Sequence, residues 1–104
     1  MVAGTPCFMP RQQLVNYKHS KPEVDIWGMA ACLYNMLSGA VPRDFPRGKD
    51  HLLCVLQTDP IPIRNRNAGV PPKLAGVIDL AVTDRPYIHF KTAADLKRAL
   101  EGAL

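Results

Sequence analysis

Three cysteines (Cys7, Cys32, Cys54) and three histidines (His19, His51, His89) are the side chains with the most reactive chemistry in this sequence. No two cysteines form a C-x-x-C pair and no two histidines share a ligand-like helical spacing. Neither a zinc site nor a disulfide framework is expected, and the cysteine usage reads as a reducing, cytoplasmic setting. Thirteen Lys and Arg against nine Asp and Glu give a net charge of +4 and raise the question of a nucleic-acid partner. The basic residues do not cluster with aromatics: Arg43, Arg47 and Lys49 share a loop with Asp44 and Asp50, and Arg64 and Arg66 have no aromatic neighbour. A solvated basic surface without nucleic acid is the expectation.

These residues need a scaffold, and the chain of 104 residues, 47% hydrophobic and 21% charged, has enough apolar material for one domain. Its organising stretch is Lys21 to Ser38, K-P-E-V-D-I-W-G-M-A-A-C-L-Y-N-M-L-S. From Val24 onward the apolar residues fall on all sides of a helical wheel, which marks a helix enclosed by protein. Ser20 with Glu23 fits a capping box, Pro22 suits the first turn and Gly39 the stop. The run is too short to span a bilayer of ~30 Å and contains Asp25, so no membrane span is read. No charged segment followed by an apolar one opens the chain, hence no secretory signal.

Gly and Pro make 2–10 an extended loop, and Arg11 to Val15 is predicted as a short helix. Asp50 is predicted to cap a helix over 51–57 carrying Leu52, Leu53, Val55 and Leu56. Asp59 to Gly69 reads as an irregular connector. Pro71 and Pro72 open a third helix with Leu74, Val77, Ile78 and Ala81 on one face. The last helix starts near Thr92, with Asp95 in the capping-box position and Leu96, Ala99, Leu100, Ala103 and Leu104 along one side. No stretch alternates as a strand does, so the predicted architecture is all-α.

Gly4-Thr5-Pro6-Cys7-Phe8-Met9, followed by Asp25-Ile26-Trp27-Gly28 at the head of an apolar helix ending Leu33-Tyr34-Asn35-Met36-Leu37-Ser38-Gly39, resembles the second half of a eukaryotic-like (Hanks-type) serine/threonine protein kinase. The first run resembles the P+1 loop and the second the helix called αF. Val70-Pro71-Pro72-Lys73-Leu74 and His89-Phe90-Lys91-Thr92-Ala93-Ala94-Asp95-Leu96 resemble the starts of αH and αI in bacterial members. The resemblance implies a partial kinase domain over 1–104: P+1 loop and short αEF helix at 2–15, αF at 21–38, and αG, αH and αI within 50–104. It implies that Gly4, Thr5 and Pro6 would meet a protein or peptide substrate and that Asp25 would anchor a catalytic loop. With that loop absent, Asp25 is expected either to meet the free amides at its own helix start or to stay an exposed carboxylate, and Trp27 reads as a core anchor, with an interface residue as the alternative.

The sequence has no glycine-rich loop, no V-A-I-K lysine, no H-R-D and no D-F-G, and Asp44-Phe45-Pro46 lacks the glycine. In the family those parts hold ATP, magnesium and the catalytic base, so this chain is expected to hold no cofactor and to be inert alone. With Met1 a few residues before the P+1 loop, a truncated product is expected, natural or engineered for expression. Where the family reads [AS]-P-E, this chain has Pro10-Arg11-Gln12, and His89 stands where the resemblance places the glutamate's arginine partner. Two readings stay open: drift in a copy released from kinase function, or a Gln12–His89 hydrogen bond of ~1 kcal/mol replacing the ion pair. Two functions also stay open, a kinase C-lobe portion and a non-catalytic kinase-derived interaction module. The all-round apolar helix predicts self-association around some of Ile26, Met29, Ala30, Leu33 and Leu37, and Val2 to Cys7 are expected to exchange rapidly.

Overall fold

The computed structural model describes residues 9–12, 22–85 and 87–104. Among them every regular element is helical: α1 (Pro22–Ser38), α2 (His51–Gln57), a single 3-10 turn (Ile63–Asn65), α3 (Pro72–Ala81) and α4 (Ala93–Gly102). The all-α expectation holds at that level. Arg11 and Gln12 are helical; the rest of the predicted Arg11–Val15 helix, the Ser20 cap and residues 2–7 lie outside the described residues.

Helix α1 starts at Pro22 with Glu23 and Asp25 in its first turn, where carboxylates oppose the positive end of the helix dipole. It stops at Gly39, whose φ of 72° lies in the left-handed region and whose N–H closes on the Asn35 carbonyl at 2.8 Å. Its buried residues are Ile26, Trp27, Gly28, Ala30, Ala31 and Tyr34. The opposite side is uncovered: Met29 is 50% exposed and Met36 73%. Among the described residues the helix, though apolar all round, is enclosed on one side only.

Asp50 caps α2 as predicted, its Oδ1 accepting the Leu52 N–H at 2.9 Å. Only Cys54 and Val55 of this helix face inward, while Leu52, Leu53 and Leu56 are exposed. In the connector, Ile63 is fully buried and its N–H donates to Asp79 Oδ1 of α3 at 2.8 Å, which joins an otherwise irregular segment to a helix.

Helix α3 buries Ala75, Ile78 and Ala81, with Leu74 and Val77 leaning on the same core, close to the predicted stripe. At α4 the Thr92 hydroxyl accepts the Asp95 N–H at 3.1 Å, but the Asp95 carboxylate takes Arg98 at 2.8 Å instead of turning back to the cap, so only half the predicted box forms. Leu96 is buried, whereas Leu104 is 92% exposed because the helix ends at Gly102 before that residue can join the stripe. α3 packs on α1, α4 and the 3-10 turn, with Trp27, Ile88 and Phe90 in the shared core.

Candidate functional site

The most constrained polar centre among the described residues lies where the loop after α1, the segment after α2 and the loop after α3 meet. Asp84 is 1% exposed and Arg43 is 2% exposed. Arg43 Nη2 donates to both carboxylate oxygens of Asp84, at 2.8 Å to Oδ1 and 2.6 Å to Oδ2, and Arg43 Nε donates to the Thr58 carbonyl at 2.9 Å. A buried charge of either sign needs such pairing to remain ionised. The Arg43 guanidinium also sits 5.7 Å from the Trp27 ring centroid.

The N-terminal segment joins the same centre. The Arg11 backbone N–H donates to Asp84 Oδ2 at 2.8 Å, and Arg11 Nε stands 3.2 Å from Asp84 Oδ1. Arg11 Nη2 donates to the Thr58 carbonyl at 2.7 Å and to Asp59 Oδ1 at 3.1 Å, and Gln12 Nε2 donates to the Asp84 carbonyl at 2.6 Å. Arg85 Nε reaches the same Asp59 oxygen at 3.5 Å. Met9 and Pro10, just before these residues, are buried.

Of the residues singled out in the sequence, Trp27 is fully buried and donates Nε1–H to the Val82 carbonyl at 2.8 Å, which makes it a core anchor tied two residues before Asp84. Asp25 is exposed on the first turn of α1. Gly4, Thr5 and Pro6 lie outside the described residues. The Gln12–His89 hydrogen bond is not formed: Gln12 donates to Asp84, its Oε1 is buried without a donor, and His89 is exposed with its ring edge-on to Phe90 at 4.7 Å. Gln12 Nε2 gives its hydrogen bond to the Asp84 carbonyl, five residues before His89, which stays in solvent.

The expectation of a solvated basic surface holds for Arg47, Lys49 and Arg64, which are exposed, and fails for Arg43 and Arg66. Arg66 donates to Asp44 at 2.8 Å, to the Val41 carbonyl at 3.2 Å and to the Tyr34 hydroxyl at 3.3 Å. The Tyr34 hydroxyl in turn donates to the Ile61 carbonyl at 2.7 Å, and burial pushes its pKa above the ordinary 10.0, with Arg66 opposing. Nothing near Arg43 in sequence separates it from its exposed neighbours, since its carboxylate lies 41 residues away.

Beside this centre is an open cleft of about 410 Å³ lined by residues that include Leu53, Cys54, Ile61, Asp44, Asp50 and Asp59. Its carboxylates already have partners: Asp44 takes Arg66, Asp50 caps α2, and Asp59 takes Arg11 and Arg85. Cys32 and Cys54 are free thiols, and among the described residues no group of three His, Cys, Asp or Glu side chains is placed to hold a metal ion. No described helix is long and apolar enough to cross a membrane. What the centre does is hold segments together: its arginines bind carboxylates and carbonyls.

No family model matches the chain, and no curated protein matches it.

Proposed function

We propose that the chain is the C-terminal lobe portion of a Hanks-type serine/threonine protein kinase, supplying a peptide-docking surface and its scaffold. On this reading Gly4, Thr5 and Pro6 meet the substrate, the parent reaction is ATP-dependent protein phosphorylation with magnesium, and this chain alone is inactive. The observation that supports the reading is a tie between the segment after one kinase-like motif and the helix that carries another. The segment directly after Gly4-to-Met9 is fastened through Arg11 and Gln12 to Asp84, two residues after Val82, whose carbonyl accepts the indole N–H of Trp27 from the D-I-W-G helix. A docking loop on a helical platform requires that the segment following it be held by that platform.

The uncovered side of α1 supports a second role, self-association. Met29, Met36 and Leu37 are exposed and Leu33 is half-buried, whereas Ile26 and Ala30, also named for this patch from the sequence, are buried. A non-catalytic interaction module would use the same stripe.

The kinase reading is tested by sequencing the coding frame upstream of Met1: H-R-D and D-F-G in frame support it, and an upstream frame without them overturns it. Titration of the purified chain with Mg-ATP is expected to show no binding, and measurable affinity would contradict the claim that the nucleotide-holding parts are missing.

A further inference from the structure

The family resemblance places a segment glutamate and a loop arginine at the positions of Gln12 and His89, and neither residue carries that charge here. A cation and a buried anion nonetheless meet between the same two regions. Arg11, beside Gln12, faces Asp84, which lies in the loop between α3 and α4, the loop that also carries His89. The cation is now on the segment and the anion on the loop.

We propose that Arg11 and Asp84 form a charge-reversed anchor for the segment that follows the docking loop, with Arg43 aiming the Asp84 carboxylate. Arg11 and Asp84 are positioning residues in this role. The proposal rests on the kinase reading for what is being positioned, and on geometry alone for the anchor.

Three features assign the role to this pair. Asp84 spends its oxygens on both partners: Oδ2 accepts the Arg11 backbone N–H as well as Arg43, so the carboxylate fixes main chain and not only a side chain. The Arg11 side chain then donates through Nη2 to the Thr58 carbonyl and Asp59, while its Nε stands 3.2 Å from Asp84 Oδ1 as a charge contact without a hydrogen bond, so its direction as well as its distance is set. Gln12 adds a bond to the Asp84 carbonyl, so consecutive segment residues are held by one loop residue. The Arg11 backbone is tied to Pro6 by five residues of chain, a reach of about 18 Å when fully extended, so fixing Arg11 bounds where a docking loop can present itself.

Arg43 separates anchoring from folding. Arg11→Ala leaves the buried Arg43–Asp84 pair whole, so the helical body keeps its charge balance while the segment loses its side-chain hold.

The test is residue-resolved hydrogen exchange on the whole chain with Arg11→Ala and Arg11→Lys. Arg11→Ala is expected to speed exchange of the residue 11 and Gln12 amides by about tenfold or more while α1, α3 and α4 keep their protection. Arg11→Lys, which keeps the charge but loses the fork, is expected to restore part of that protection. Unchanged exchange at residues 11 and 12 in Arg11→Ala overturns the proposal, as does an equal rise across all three helices, which would make Arg11 a general stabiliser. The outcome is independent of the upstream reading frame, so loss of the kinase reading and loss of the anchor are told apart.

Discussion

The guanidinium of Arg43 holds the carboxylate of Asp84 by two hydrogen bonds of 2.8 and 2.6 Å, across 41 residues of chain and with both side chains buried. Removing one partner strands the other charge in a low-dielectric interior. Arg43→Met and Asp84→Asn are each expected to lower stability by about 3–5 kcal/mol. The double variant is expected to lose less than the two together, with a coupling of about 1–3 kcal/mol in urea melts. Simple additivity would show that the pair does not act as a unit.

Trp27 is the single tryptophan of the chain and is fully buried, so its fluorescence reports on the core directly. Native emission is expected to be blue-shifted and to move red in one step on unfolding. Trp27→Phe leaves the Val82 carbonyl without its donor and is expected to cost about 2 kcal/mol. A red-shifted native spectrum would place the indole in water.

Because Gln12 donates to Asp84 and His89 is exposed, the two residues at the ends of the expected pair should now behave independently. Gln12→Ala is expected to lower stability by about 1 kcal/mol, His89→Ala hardly at all, and the two effects to add within about 0.5 kcal/mol. A larger coupling in a denaturant melt would restore the direct contact that the structure does not show.

Tyr34 links stability to alkaline pH. Burial raises its folded pKa above 10.0, so the unfolded chain gives up the phenol proton first. The contribution is complete below pH 10 and is lost as pH rises past 10 toward the folded value. Thermal melts from pH 9 upward are expected to fall more steeply for the native chain than for Tyr34→Phe; parallel curves would remove Tyr34 from the account.

The uncovered stripe of α1 predicts concentration-dependent mass. Met36, 73% exposed, and Met29, 50% exposed, lie seven positions apart on one face. Sedimentation at several concentrations should show association that Met29→Glu with Met36→Glu abolishes without lowering the melting temperature. A monomer at high micromolar concentration, with no binding of a hydrophobe-sensing dye, would end the self-association reading.

The helices were legible because their signals are local. Asp50, Thr92, Pro72 and Gly39 each act within a few residues of themselves, and the structure uses all four at helix ends. Trp27 was legible as an anchor from its place in an apolar helix, though its acceptor at Val82 was not. The polar centre was hidden because its logic is long-range. Arg43 and Arg47 look alike in sequence, and only the arrival of Asp84 makes one buried and leaves the other in water. The same limit misplaced the Gln12 contact: register within a resemblance names a region of space, and hydrogen-bond competition inside it decides the partner.

Asp84 is reached from Arg11 across 73 residues and from Arg43 across 41, whereas the bonds that build α3 and α4 close only a few residues each. Closing such long loops costs entropy before any charge is paired, so this centre should form on the native side of the folding barrier. Substitutions at Asp84 should therefore hasten unfolding far more than they slow folding, which makes this carboxylate a determinant of how long the folded chain persists.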